Sequence, residues 1–595
     1  MATFDSIPRR LQRQADLRPD APAYAVRSAS GWQPTSWRDF AAQVRRAGRA
    51  LIALGVEPGA TVGIVGFNRP EWTIFHAAAM SIGAAPAGVY TTNAAGEVQY
   101  ILDHAEAPVV LLEDESQWRK VAQERARLPH LRRAVMMRGA TPIDDPLTLD
   151  WEAFLALGDD VDDTHFTRRL EALTADQLAT LIYTSGTTGP PKGVMLTHGN
   201  LAWTAETALR ITDVRPTDVT LSYLPLSHIA EQMFTIHGAA TVGYAVYFAE
   251  SIDKVPENLK EVQPHLFFGV PRIWEKFHAG VSTKLREATG AKKALVDWAM
   301  RVGRQVSAAR CRGVHPSPLL ALQHRLADRL IFSKLKPALG MGRARLCVSG
   351  AAPIAPEVLE FFSGLDLVVH EVYGQSEDCG PTSFNLPGRT DFNTVGPPLP
   401  GVEVRIAADG EILVRGPNVF PGYFKDPDAT AETLVDGWLH SGDLGELDAA
   451  GFLRVTGRKK DIIITAGGKN IAPKNLEAAL KELPLINEAT VIGDRRKFLS
   501  ALLTLDPTAA AAFASARGID GAAQLHRHPA LLDEIRRHVD AVNEQVARVE
   551  GIKKFTVLAR DFSIESGELT PTLKVKRKVV ARNFASEIES MYGDE

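Results

Sequence analysis

The stretch "YTSGTTGPPKGV", residues 183–194, gathers three glycines, four Ser/Thr hydroxyls and one lysine around two adjacent prolines. Such a string cannot build a core. Ser185, Thr187 and Thr188 offer hydroxyl donors, and Gly186 and Gly189 let the backbone come close to an anion. Lys192 adds positive charge. This chemistry suits a polyphosphate. The stretch is not a P-loop of the form GxxxxGK[ST], because Pro191 precedes the lysine and Gly193 follows it. Proline has no N–H to give to an amide cradle, and glycine has no hydroxyl for Mg²⁺. Two prolines in a row also argue against a helix starting there.

Outward from this loop, short apolar runs alternate with helical stretches over roughly the first 450 residues. "TVGIVGF" from Thr61, "APVVLLED" from Ala107 and "LVVHEVYG" from Leu367 read as strands. "RPEWTIFHAAAMSIGA" reads as a helix with Pro70 in its first turn. Alternation of this kind predicts α/β layers with mainly parallel sheets, whose ligands bind beyond the carboxyl ends of the strands. From about Val395 the texture changes to short antiparallel strands, with "DAAG" at 448–451 as a hairpin turn. After Lys460 come a strand, a Gly-Gly turn, a helix near Pro473, two strands and a helix spanning about 529–550. These predict a small α+β domain with its own core. The charged "GRKKD" at 457–461 marks the boundary, giving domains 1–459 and 460–595.

The chain has 595 residues, too many for one compact core, and its 45% hydrophobic and 23% charged residues are those of a globular protein. A net charge of −4 gives no global reason to expect nucleic-acid binding. The three cysteines lie far apart, which fits a reducing cytosol. The N-terminus lacks the apolar segment of a secretory signal, and no run approaches the length of a membrane span.

"YTSGTTGPPKGVMLTHGN" resembles the phosphate-loop signature of the adenylate-forming (AMP-binding) superfamily, and further motifs follow in that family's order. These are "LPLSHIAE", "VSGAAP", "VYGQSED", "GWLHSGDLGELD", "GRKKD", "TAGGKN" and "GELTPTLKVKRK". The resemblance implies a large N-terminal domain of layered α/β subdomains with a small β-barrel-like part, and a mobile C-terminal α+β domain. It implies that Thr184, the 185–189 loop and Lys192 meet the ATP phosphates. It puts His228 beside the substrate carboxylate, and Gly350, Ala351 and Ala352 along the adenine. Tyr373 and Gly374 would face the base, and Ser376 the α-phosphate. Glu377, with Thr184, would hold Mg²⁺. Asp443 takes the ribose from a Ser-Gly turn, and Arg458 contacts ribose or phosphate. Gly467 and Gly468 meet the pantetheine arm of coenzyme A, Lys460 is the hinge, and Lys574 is the catalytic lysine. Lys576 lies close enough to compete with Lys574 on sequence alone. Asp378 reads as solvated surface and Cys379 as incidental.

"VYFAESIDKVPENLKEVQPHLFFGVPRIWEKF" from Val246 and "TPTLKVKRK" are similar to long-chain acyl-CoA synthetases. The implied reaction consumes a medium- to long-chain fatty acid, ATP and CoA and gives acyl-CoA, AMP and pyrophosphate. Aryl-CoA ligase, fatty acyl-AMP ligase and non-catalytic binder of acyl groups or nucleotides are the alternatives. Phe267, Phe268 and Trp274 read either as core or as tunnel lining. Cytoplasmic residence, peripheral membrane contact and a homodimer complete the expectations.

Overall fold

The computed structural model describes residues 4–184, 190–466, 469–519, 522–570 and 574–593. Two large sheets dominate the N-terminal part. One has seven strands, five of them in parallel order (Thr148–Leu149, Arg133–Met136, Val109–Leu112, Thr61–Val65, Ala85–Val89), followed by Leu178–Thr184, also parallel. The edge strand Lys192–Thr197 runs antiparallel to Leu178–Thr184. The other sheet has eight strands with a parallel centre (Val369–Tyr373, Leu346–Gly350, Leu266–Gly269, Val219–Ser222, Ala245–Phe248, Pro22–Ser28) and an antiparallel strand at each edge. The central strands are mostly apolar and largely buried, as strands covered on both faces are. Pro70–Ser81 is buried on every side, with Trp72 and Phe75 at 0% exposure and the polar Glu71 and His76 buried with them.

A five-stranded antiparallel sheet (Glu403–Ile406, Glu411–Arg415, Leu434–Val435, Trp438–Leu447, Leu453–Arg458) follows where the β-barrel-like part is expected. The C-terminal part builds a separate core. A three-stranded sheet (Ile486–Ile492, Leu499–Leu505, Ile552–Val557) packs against the helices Pro473–Leu480 and Pro529–Glu544. The second of these helices is shorter than expected. It stops at Glu544, and Val549 stands 46% exposed. Asn543 ends it by accepting from the Ile552 N–H and donating to the Ile552 carbonyl, which turns the chain into the next strand. Across the gap between the two parts, Arg272 donates to Asn487 at 2.8 Å and pairs with Glu488 at 3.2 Å.

Candidate active site

A cleft of ≈ 2520 Å³ runs between the carboxyl ends of the eight-stranded sheet, the antiparallel sheet and the small domain. The opening motif forms a hairpin at its rim: Thr184 pairs with Lys192 and Tyr183 with Gly193 across the two strands. Proline and glycine around the lysine thus continue into a strand, not into the helix a P-loop would need. Ser185, Gly186, Thr187, Thr188 and Gly189 lie outside the described residues, as do Gly467 and Gly468. The Lys192 ammonium sits 4.8 Å from the centre of the Tyr423 ring, and the Tyr423 hydroxyl donates to Glu377 at 2.9 Å. Backbone bonds from Phe424 N–H to the Gly193 carbonyl and from Met195 N–H to the Gly422 carbonyl hold Tyr423 against the hairpin. One aromatic residue therefore links the lysine of the loop to the carboxylate of "QSE".

Asp443 is the centre of a second network. Tyr373 donates to its Oδ2 at 3.0 Å and Gln375 to the same oxygen at 2.8 Å. Arg458 meets Oδ1 at 2.9 Å. Asp443 and Arg458 lie directly opposite one another on antiparallel strands, which is why residues fifteen apart form a pair. Asp443 does not stand on a free turn. "SGDLG" lies inside the strand Trp438–Leu447, where Gly442 at φ +69° lets the strand bulge. Gln375 also donates to the Ser441 carbonyl at 2.7 Å. Gln375 and Tyr423 escape the sequence reading because their partners lie 46–68 residues away. Glu371 also lines the cleft, two residues before Tyr373 and so on the same face of the strand, and burial raises its carboxyl well above the ordinary range.

Gly350 ends its strand, and a Cβ there would come within 2.6 Å of Val372. Ala351 follows in the left-handed region at φ +70°, a strained conformation for a residue with a side chain. Ala351 and Ala352 are exposed along the cleft wall. At Gly374 a Cβ would lie 1.6 Å from the Gly380 carbonyl oxygen, so the glycine is required by the backbone crossing itself. Ser376 is buried beside it. Asp378 is not solvated surface. It is fully buried, accepts from the Gln375 N–H at 2.7 Å and from the Thr382 hydroxyl, and burial raises its carboxyl to about 8. Its work is to shape the turn that carries Gln375. Cys379, also buried, belongs to the core.

His228 caps the short helix Ile229–Gln232, its Nδ1 accepting from the Ala230 N–H at 3.2 Å. The proton of the neutral ring is thereby on Nε2. Burial, with the charge of Lys574, lowers this histidine to about 4, so it is neutral at pH 7. Lys574 belongs to a loop of the small domain and reaches the same cleft. Its N–H donates to the Thr570 hydroxyl at 3.0 Å, and its carbonyl accepts from the Thr570 N–H at 2.8 Å. Burial, then the charges of Arg458 and Lys474, push its ammonium down to about 8, while Asp443 and Glu377 pull it up. Part of the Lys574 surface is open to the water of the cleft. That moderates the effect of burial and leaves the flanking cations as the firmer cause. Lys576 also lines the cleft, but its N–H is bonded back to the Glu568 carbonyl at 2.7 Å, at the start of the helix Arg577–Asn583. Lys460 is exposed in a single 3₁₀ turn, Lys459–Asp461, directly after Arg458.

An apolar arm of the cleft runs past His228 between Leu209, Val214, Met233, Phe234, Tyr244, Leu266, Phe268 and Leu346. Of the three aromatics left open by the sequence, Phe268 lines this arm, while Phe267 and Trp274 belong to the core.

Two layered α/β sheets, an antiparallel sheet and a small domain thus frame one common cleft. The AMP-binding enzyme model matches residues 11–424, and the AMP-binding enzyme C-terminal domain matches residues 460–595. This chain belongs to the AMP-binding enzyme family. It is 38% identical to a long-chain-fatty-acid–CoA ligase of Xenopus laevis, over 97% of this chain and 82% of that protein. It is 40% identical to a long-chain-fatty-acid–CoA ligase of Mycobacterium tuberculosis, over 97% of this chain and 96% of that one. Among solved structures, an anthranilate CoA ligase in complex with anthranoyl-AMP shares the fold with a TM-score of 0.75 at 20% identity, over 99% of both chains.

Proposed function

We propose that this enzyme joins a medium- to long-chain fatty acid to coenzyme A in two half-reactions. A carboxylate is a poor acyl donor because oxide is a poor leaving group. The acid's oxygen therefore attacks the α-phosphorus of ATP, pyrophosphate leaves, and an acyl adenylate remains. The CoA sulfur then attacks the acyl carbon, the thiol proton passes to solvent, and AMP leaves. Charge develops on phosphate oxygens in the first step, so positioning and positive charge carry the catalysis.

The supporting observation is that Lys574, from the small domain, shares the cleft with His228, Glu377, Asp443 and Arg458 from the large one. In this reading Lys574 and Lys192 stabilise the phosphates, assisted by the hydroxyls of Thr184 and Ser376. Asp443 and Arg458 hold the ribose, and Tyr373 and the Gly350–Ala352 segment flank the base. His228, neutral and with its proton on Nε2, donates to the substrate carboxylate. Among the described residues no three acidic, His or Cys side chains converge to form a metal cage. Glu377 with the Thr184 hydroxyl supplies one or two hard oxygens, which fits Mg²⁺, an ion that keeps phosphate and water for its other positions. When bound, it would neutralise phosphate charge. The apolar arm takes the alkyl chain.

Lys574 serves the first step. Gly467 and Gly468, assigned to the second, belong to the same small domain. In this reading the domain turns about Lys460 between steps, with 1–459 and 460–595 as its rigid parts, so that each segment serves its own half-reaction. We also place the enzyme in the cytoplasm, in peripheral contact with membrane surfaces. Among the described residues no helix is long and apolar enough to cross a membrane.

ATP–pyrophosphate exchange across a panel of acids, followed by addition of CoA, tests the reading. Exchange with long-chain acids and thioester formation on adding CoA are expected. Exchange without a thioester would identify an acyl-AMP ligase, and no exchange with any acid would overturn the proposal.

A further inference from the structure

The helix Pro318–Ala327 continues through the π-helical turn Asp328–Phe332. One side of this rod is satisfied: Ala327 and Phe332 are fully buried, and Leu320 and Ile331 pack with them against Ala299, Val302 and Val306 of the helix Gly290–Cys311. The opposite side is not. Leu319, Leu322, Leu326 and Leu330 stand 67%, 63%, 49% and 38% exposed. Their spacing of three and four residues aligns them as one stripe. Few soluble surfaces keep four leucines in a row against water, and such a stripe marks a contact.

The charge around the stripe identifies the contact. Residues 281–345 hold fourteen Lys and Arg against three Asp and Glu, in a chain whose net charge is −4. Some of these cations are engaged: Arg310 and Lys336, together with His324, converge on the buried Asp366. Arg325 and Arg329, exposed and interleaved with the leucines, form no ion pair among the described residues. A leucine stripe with arginines along it matches a helix lying in the interface of an anionic bilayer. The leucines enter the acyl boundary, and the arginine stems reach up to the headgroup phosphates. A second copy of the chain fits less well, because the same surface on both partners would bring two strongly basic segments face to face.

We propose that the rod 318–332 docks the enzyme on anionic membrane surfaces through Leu319, Leu322, Leu326 and Leu330, with Arg325 and Arg329 on the phosphates. This rests on the peripheral contact proposed above and names the surface that makes it. The test is sedimentation of the full chain with vesicles of phosphatidylcholine alone and of phosphatidylcholine mixed equally with phosphatidylglycerol. Wild type, Leu322→Glu/Leu326→Glu and Arg325→Gln/Arg329→Gln are compared, with thermal midpoints and size-exclusion elution measured alongside. Wild type should bind the mixed vesicles and bind phosphatidylcholine weakly. The leucine variant should lose about tenfold in partitioning, and the arginine variant should lose the preference for phosphatidylglycerol, all with unchanged thermal midpoints. Binding of neither vesicle by wild type would overturn the peripheral contact itself. Wild-type-like binding by both variants would leave that contact standing and overturn the assignment to this rod. Equal binding to both lipids, or a wild-type dimer that the leucine variant converts to monomer, would overturn the choice of an anionic bilayer as the occupant.

Discussion

At the scale of single residues, the two lysines of "KVKRK" are separated by what surrounds them. Lys574 faces the carboxylates of the large domain, whereas the backbone at Lys576 is tied to Glu568. Lys574→Ala should lower pyrophosphate exchange by about 10²–10³-fold, and Lys576→Ala should leave it near wild type; exchange rates of both variants decide this. Burial in the cleft and the flanking cations make a pH prediction. A lysine pushed down toward about 8 loses its proton as pH rises through that value, so kcat/KM for ATP should fall on the alkaline side well before a free lysine at 10.5 would titrate. A rate profile flat to pH 10 would count against Lys574 acting as the cation. Tyr423→Phe removes the hydroxyl that donates to Glu377. A hydrogen bond to a charged group is worth about 1.5–3 kcal/mol, so kcat/KM should drop about tenfold or more, with a raised Mg²⁺ requirement as the accompanying sign. Tyr423, Gln375 and the buried Asp378 are residues that the sequence keeps hidden. Each matters through a neighbour brought close by folding, and nothing local marks them. The residues that were legible carry their chemistry in their own motif: a hydroxyl loop, a glycine at a backbone crossing, a lysine after a turn.

At the scale of elements, the parallel strands were easy to read because most are short runs dominated by apolar residues, as burial on both faces favours. The strand holding Asp443 was not, since "SGDLG" looks like a turn and becomes a strand only because Gly442 takes up a bulge. The helix from Pro529 was overestimated for a similar reason. Its apolar spacing runs on past Glu544, but Asn543 bonds forward to Ile552 and ends it. The basic segment beside Leu319 was lost in an average, because the acidic remainder of the chain cancels it. The 3₁₀ turn Lys459–Asp461 is one turn of exposed backbone between two packed bodies, the kind of segment that absorbs a dihedral change. Lys460→Pro restricts φ there. It should slow thioester formation more than pyrophosphate exchange, as single-turnover measurements of each half-reaction would reveal; equal losses would argue against the hinge.

At the scale of the whole molecule, one contact between the domains stands out. Arg272 spans the gap to Asn487 and Glu488, and Asn487 in turn donates to Asp561, which precedes the lysine loop. Arg272→Gln should weaken the pose that brings Lys574 into the cleft. Exchange should slow several-fold while thioester formation from preformed acyl adenylate is spared, as a split between the two assays would report. Stability should depend on pH from both sides. His76, His198 and His237 are fully buried. Burial lowers His198 to about 4, His237 to about 3, and His76 well below its ordinary value. Below about 6.5 the unfolded chain takes up protons that the folded one refuses, so stability falls as pH drops. Glu231, held by Ser222 and Thr235, and Asp378 act in the opposite sense. Folded, they keep their protons to about 7 and about 8, so stability also falls as pH rises toward those values. Urea midpoints between pH 4.5 and 8.5 should therefore peak near about 6.5; a monotonic trend would contradict the buried state of these groups.

The turn that holds Lys460 begins directly after Arg458, which is bolted to Asp443 across a β-ladder. Whatever sits nearest an axle travels least when the wheel goes round. In the proposed rotation the sugar end of the cargo would be gripped close to the still point. On that reading an activated acyl group would stay seated through the swing, and the machine would not let go of its load in order to change tools.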